Sequence, residues 1–176
     1  MKNPLHLMID GSDNLGKTTV INLLSRKLDL PIIKMTNMKE YIEEGDAEKY
    51  SRLYNETVVQ FSEFSFIMDR GFTSSLVYSE VFSRKDDLSY IENIEQKLKP
   101  TIFILTGRNR PGAIHYSYLG YTSFSSDPIY NTESKNKIDE AFWKLAEERG
   151  YHLVEVFGKS PLEICNEIIE KINEQQ

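Results

Sequence analysis

Short apolar runs alternate along the chain with longer stretches in which apolar residues recur every three or four positions. Leu5 to Ile9 reads Leu-His-Leu-Met-Ile and stops at Asp10-Gly11, which predicts a strand covered on both faces. From Lys17 to Leu28 the residues Val20, Ile21, Leu23, Leu24 and Leu28 share one helical stripe, which Asp29-Leu30-Pro31 terminates. Pro31 to Lys34 is a second short strand. Met38 to Phe64 reads as mostly helical with a break near Gly45-Asp46, and Phe64 to Met68 as the third strand. Apolar positions then recur from Leu76 to Phe82 and from Ile91 to Leu98, predicting two helices before a fourth strand at Thr101 to Leu105. Ile138 to Arg149 is a helix ended by Gly150, Tyr151 to Phe157 the fifth strand, and Pro161 to Asn173 a closing helix with proline in its first turn. Between Gly107 and Tyr130 no period holds, so this stretch is expected to be a long functional loop or lid.

Strands that alternate with helices predict an α/β domain, a five-stranded parallel sheet with helices on both faces and the lid after its fourth strand. The 176 residues, 40% of them hydrophobic, suit one domain with one core spanning 1–176. A net charge of −6 argues against a protein that coats nucleic acid through a basic face, so any anion must be held locally. The lone cysteine, Cys165, cannot form an internal disulfide, which suits a reducing compartment and makes the cytoplasm the expected location. No run approaches the roughly 20 apolar residues of a membrane-spanning helix.

The chemistry starts after the first strand. Gly11-Ser12-Asp13-Asn14-Leu15-Gly16-Lys17-Thr18 satisfies G-x-x-x-x-G-K-[ST], with a strand before it and an amphipathic helix after it. Glycines allow the backbone to curl with its N–H groups facing phosphate oxygens. Lys17 supplies charge to the β and γ phosphates, Thr18 offers a hydroxyl to Mg²⁺, and the helix contributes its positive end. Residues Gly11 to Thr19 are therefore the expected ATP site, Mg²⁺ the expected metal. The loop does not itself say what receives the γ phosphate. Asn136-Lys137-Ile138-Asp139 matches the Asn-Lys-x-Asp of GTPases, but these residues open a helix and follow Thr132-Glu133-Ser134 instead of an apolar strand, so the match is read as chance.

The third strand ends in Asp69-Arg70, followed by Gly71-Phe72-Thr73-Ser74-Ser75-Leu76-Val77-Tyr78-Ser79. Ligands gather at the carboxyl ends of parallel strands, so Arg70, with its planar fork, is a candidate for a phosphate group and Asp69 for the metal shell. This block resembles the Asp-Arg-Tyr-x-x-Ser-x-x-Ala-Tyr-Gln pattern of the thymidylate kinase family of P-loop nucleoside monophosphate kinases. Asp13 matches the family's acidic loop residue, which meets the deoxyribose 3′-hydroxyl. Asp127-Pro128-Ile129, Thr132-Glu133-Ser134 and Phe142-Trp143-Lys144-Leu145-Ala146 are similar to its lid exit and last long helix. The resemblance implies ATP-dependent phosphorylation of a deoxynucleoside 5′-monophosphate, thymidylate or a related pyrimidine, with Asp13, Lys34, Arg52, Asp69, Arg70 and Ser74 on the acceptor side. It also implies a homodimer through helices beside the third strand.

The chain departs from that pattern where the base should be read. Lys34-Met35-Thr36-Asn37-Met38 stands in place of Arg-Glu-Pro-Gly-Gly-Thr, Gly71 replaces Tyr and Ser79 replaces Gln. Arg52 is the candidate for the family's base-reading arginine, with Tyr50 or Tyr54 as the stacking ring. Related deoxynucleoside kinases place a carboxylate at the end of the second strand to activate a hydroxyl; here Lys34 is there, which favours an acceptor already carrying phosphate. With Asn14 in the loop where some relatives have arginine, Arg108 and Arg110 at the lid base are the candidates to meet the transferring phosphoryl group, a contact worth on the order of 10³-fold in rate. A kinase of a hydroxyl acceptor, nucleoside or nucleic-acid base or end, is the alternative enzyme. A non-kinase ATP-binding switch is the alternative of another class.

Overall fold

The computed structural model describes residues 3–35, 45–107 and 132–174. In chain order these form β1 (His6–Gly11), α1 (Lys17–Leu28), β2 (Ile32–Lys34), α2 (Ala47–Val59), β3 (Phe66–Asp69), α3 (Phe72–Val81), α4 (Tyr90–Leu98), β4 (Thr101–Thr106), α5 (Thr132–Arg149), β5 (His152–Glu155) and α6 (Pro161–Glu174). The strands make one sheet in the order β2-β3-β1-β4-β5, with every pairing parallel.

Alternation along β1 explains how the layers form. Leu7 and Ile9 point to one face, where they pack with Val20, Ile21 and Leu24 of α1 and Ile164, Cys165 and Ile168 of α6. Met8 points to the other and joins Phe72 and Val77 of α3, Ile91 and Ile94 of α4, and Ile138 and Phe142 of α5. A central strand with helices on both sides has no solvated face, which is why its sequence is a continuous apolar run.

The boundaries of α1 coincide with those expected from its stripe. Others move for identifiable reasons. Phe64 does not open β3: it is 65% exposed and closes a turn in which its N–H donates to Phe61 O. Helix α3 begins at Phe72, four residues before the apolar period shows, because Thr73 and Ser74 are polar yet buried against a carboxylate. Helix α5 extends back to Thr132, and β5 ends at Glu155, leaving Phe157 exposed. In the last helix Leu162 shares helical spacing with the buried Cys165 and Ile168, yet it is 49% exposed.

The amino end of the sheet is closed by backbone geometry. Helices α1, α4 and α5 are followed by residues in the left-handed region, Asp29 (φ 54°), Lys99 (φ 43°) and Gly150 (φ 69°), from which the chain turns towards β2, β4 and β5. There, too, the His6 ring sits between three carbonyls, with Nδ1 2.6 Å from Leu98 O and Nε2 3.0 and 3.1 Å from Ser62 O and Phe64 O. Among the described residues, no helix is long and apolar enough to cross a membrane.

Candidate nucleotide site

At the carboxyl end of β1 the chain must pass close under β4. Gly11 has φ 131°, and a Cβ there would lie 2.2 Å from Leu105 O, so no side chain fits. Asn14 (φ 66°) and Gly16 (φ 75°) complete the curl that delivers the chain to the first residue of α1, Lys17. Residues 13–19 line one side of a cleft of about 320 Å³; Lys34, Met35, Asp69 and Arg70 line the other. The space is open to solvent and polar, suited to a polyphosphate more than to an apolar ligand.

Lys17 is 7% exposed and donates to the Ser12 carbonyl. Burial, reinforced by the nearby Arg70 charge, outweighs Asp13, Asp10 and Asp69 and pulls its pKa down to about 8. Arg70 leaves the end of β3 with φ 68°, an uncommon backbone for arginine, which turns its guanidinium across the cleft to the Asp13 carboxylate. It also reaches Tyr78 Oη at 3.5 Å and Asp10 at 4.0 Å. Burial opposes the Arg70 charge, but Tyr78, Asp10 and Asp13 more than restore it. Burial likewise opposes the Asp13 charge, and Arg70 and Lys17 override it, so the Asp13 carboxyl titrates below its usual range. Lys34 Nζ stands 3.5 Å from Asp69.

Two carboxylates of this region were not among the expected site residues. Asp10 is fully buried and accepts hydrogen bonds from Thr73 (2.6 Å) and Ser74 (2.8 and 2.9 Å) as well as from Gly11 N–H. A charge ending an apolar run was the signal for it. Asp139, also fully buried, accepts from Ser12 Oγ at 3.1 Å and Thr106 Oγ1 at 3.2 Å. It lies on the inward stripe of α5 with Phe142 and Ala146, where the spacing i, i+3, i+7 marks a buried carboxylate.

The remaining expected residues distribute unevenly. Ser74 turns its hydroxyl to Asp10 and does not line the cleft. Arg52 stands outside the cleft on the exposed face of α2, bonded to Glu56 (2.9 Å), 3.8 Å from Asp87 and over the Tyr90 ring. The helix turns Ser51, Asn55 and Val58 inward instead. Tyr54 is partly buried, with its hydroxyl 3.4 Å from Ile33 O, and burial together with Asp69 and Asp10 raises its pKa. Arg108 and Arg110 and most of the expected lid lie outside the described residues.

No three metal-ligating side chains cluster among the described residues. The donors that line the cleft, the Thr18 hydroxyl and the Asp69 carboxylate, are hard oxygens. That set fits Mg²⁺, which is commonly held by one or two protein oxygens while phosphates and water complete its shell.

A parallel 2-3-1-4-5 sheet with a glycine-lysine loop after its first strand defines a P-loop α/β protein with a thymidylate kinase-like nucleotide kinase fold. Three solved structures carry this arrangement over almost the whole chain. The YorR protein of Bacillus subtilis, in complex with phosphorylated GDP, is 22% identical, with a TM-score of 0.69 over 97% of this chain and 96% of its own. Deoxyadenosine kinase from M. mycoides with bound dATP is 16% identical, TM-score 0.67, over 96% and 100%. Thymidylate kinase from Candida albicans is 17% identical, TM-score 0.63, over 98% and 92%. No protein-family model matches the chain, and no curated protein matches it significantly.

Proposed function

We propose that the protein transfers the γ phosphoryl group of Mg·ATP to a deoxynucleoside 5′-monophosphate, with a pyrimidine nucleotide as the first acceptor to test. The observation that carries this reading is the pairing of charges in the cleft. Lys17, Lys34 and Arg70 converge on it, while its two lining carboxylates, Asp13 and Asp69, are both engaged by cations. An anionic acceptor needs cations and positioning; a hydroxyl acceptor needs a free carboxylate base. Asp13 is held below the usual carboxylate range, which makes it a poorer base still.

In this mechanism residues 11–19 cradle the triphosphate and Lys17 meets its outer phosphates. Arg70 holds the acceptor phosphate in line, with Lys34 beside it, and Asp13 contacts the sugar. One acceptor oxygen forms a bond to the γ phosphorus as the bond to the β–γ bridging oxygen breaks, and ADP leaves with that electron pair. Thr18 and Asp69 would hold Mg²⁺, which would supply charge neutralisation to the triphosphate. Arg108 or Arg110 is the proposed cation for the transferring group.

A coupled assay of ADP release with ATP and a panel of nucleosides and monophosphates tests the reading. Deoxynucleoside monophosphates are expected to raise the rate well above that with water. Stimulation by nucleosides alone would move the assignment to a hydroxyl kinase, and stimulation by no acceptor would remove the kinase reading.

Lys17 adds a pH signature. Free Lys17 loses its proton around pH 8, and a polyphosphate beside it favours the charged form, so triphosphate binding above that pH takes up a proton. Calorimetry in buffers of different ionisation enthalpy is expected to show uptake approaching about one proton near pH 9 and little near pH 7.5. Affinity falls as pH rises through this window. Equal uptake at the two pH values would contradict the role given to Lys17.

A further inference from the structure

We infer that Asp139 is a positioning residue for the phosphate loop, acting through Ser12 on Lys17; the inference rests on the nucleotide site proposed above. Ser12 is held from two sides. Its hydroxyl donates to Asp139 Oδ1 at 3.1 Å, and its carbonyl accepts from Lys17 Nζ. The same carboxylate accepts from Thr106 Oγ1, at the last residue of β4, at 3.2 and 3.4 Å. One fully buried side chain thus ties α5 and β4 to the second residue of the loop. The neighbouring Gly11 is pressed against the Leu105 carbonyl of that strand, so the loop's entry is fixed by β4 through backbone contact at Gly11 and through Asp139 at Ser12.

The consequence concerns the lysine more than the fold. The Ser12 carbonyl is a partner of Lys17 Nζ, and rotation of the 12–13 peptide would carry that acceptor away and re-aim the N–H of Asp13. A phosphate cradle depends on where those dipoles point, and a shift of one peptide misplaces both the N–H and the ammonium. Ser12 is 1% exposed, so its hydroxyl meets no solvent that could replace Asp139. A residue with only a packing role would affect stability without a preference between the two substrates. Among the described contacts, Ser12 carries Asp139 directly to Lys17 on the triphosphate side of the cleft, whereas the acceptor side is met one residue further on, at the Asp13–Arg70 ion pair, so the effect on ATP is the larger.

The test compares S12A, D139N, D139A and the S12A/D139A pair at a temperature well below each melting transition, with ATP binding read by calorimetry and turnover by the coupled assay. D139A, or S12A if D139A fails to fold, is expected to weaken ATP binding about tenfold or more, leaving binding of the acceptor monophosphate within about twofold. D139N keeps an acceptor for Ser12 and is expected to restore most of that loss. In the double variant the loss in ATP affinity should be close to that of the more severe single change, because both break the same link. Additive losses, equal losses for ATP and acceptor, or wild-type ATP affinity in S12A would each overturn the inference. Calorimetric ATP binding does not require transfer: the expected losses of ATP affinity, seen together with no turnover on any acceptor, would defeat the kinase reading and leave the role of Asp139 standing.

Discussion

Replacing Lys17 with methionine is expected to abolish the proposed phosphoryl transfer and, at pH 7.5, to raise the melting temperature of the nucleotide-free protein. The two effects share one cause. Lys17 is almost fully buried beside Arg70, and its pKa of about 8 against an ordinary value of 10.5 means that the fold disfavours the ammonium. The folded pKa is the lower, so between about pH 8 and 10.5 the unfolded chain binds more protons and stability rises with pH; below pH 8 the burden is carried in full. Methionine has a comparable unbranched shape and no charge, and removing the burden is expected to stabilise the free protein by on the order of 1–3 kcal/mol. The loss of a charge aimed at the outer phosphates is expected to cost at least about 100-fold in turnover. Thermal melts and the coupled assay check both. A variant that melts lower at pH 7.5, or keeps more than about a tenth of the activity, would show that the ammonium is not held against the fold for the sake of phosphate.

The second large effect is expected from Arg70→Lys. Charge is kept, but the planar fork that spans Asp13 and the cleft is lost. For a monophosphate acceptor kcat/KM should fall by about 100-fold while the KM for ATP stays within about threefold, because a bidentate clamp on phosphate cannot be rebuilt by a single ammonium. A hydroxyl kinase would respond the other way. Arg70→Lys would then be mild, and Asp13→Asn, which removes the nearest base candidate, would be the damaging change. Steady-state kinetics on the two variants therefore separate the acceptor classes even before the base is known.

How much of this was legible beforehand depends on what each residue faces. The phosphate loop and α1 were readable because their requirements are local: glycines where the backbone turns left-handed or passes under β4, then a clean apolar stripe. Helix α3 was legible only in its second half, since Thr73 and Ser74 are buried by hydrogen bonds to Asp10 and not by apolar contact, and a hydropathy pattern registers polar residues as exposed. Phe64 misled in the opposite sense, an aromatic that stays in solvent. Arg52 was placed by motif spacing on α2; which side of that helix faces the sheet is set by packing against α3 and α4, which no local pattern in a helix with few apolar residues reveals. Asp139 was seen only as part of a chance motif match, because its partners, Ser12 and Thr106, lie 127 and 33 residues away.

The left-handed caps at the amino end of the sheet bear on how this fold could be made more robust. Asp29 and Lys99 hold a conformation that Gly150 adopts without steric cost, so two of the three turns into strands carry a side chain where none is required. They lie at the edge of the sheet remote from the cleft, and neither is tied to Lys17 or Arg70 by any described contact. Stability added there is thermodynamically separate from the charges that the site buries. The molecule thus keeps a reserve on one rim from which the burdens of the other, a buried ammonium and an arginine in a strained backbone, can be offset without altering the chemistry.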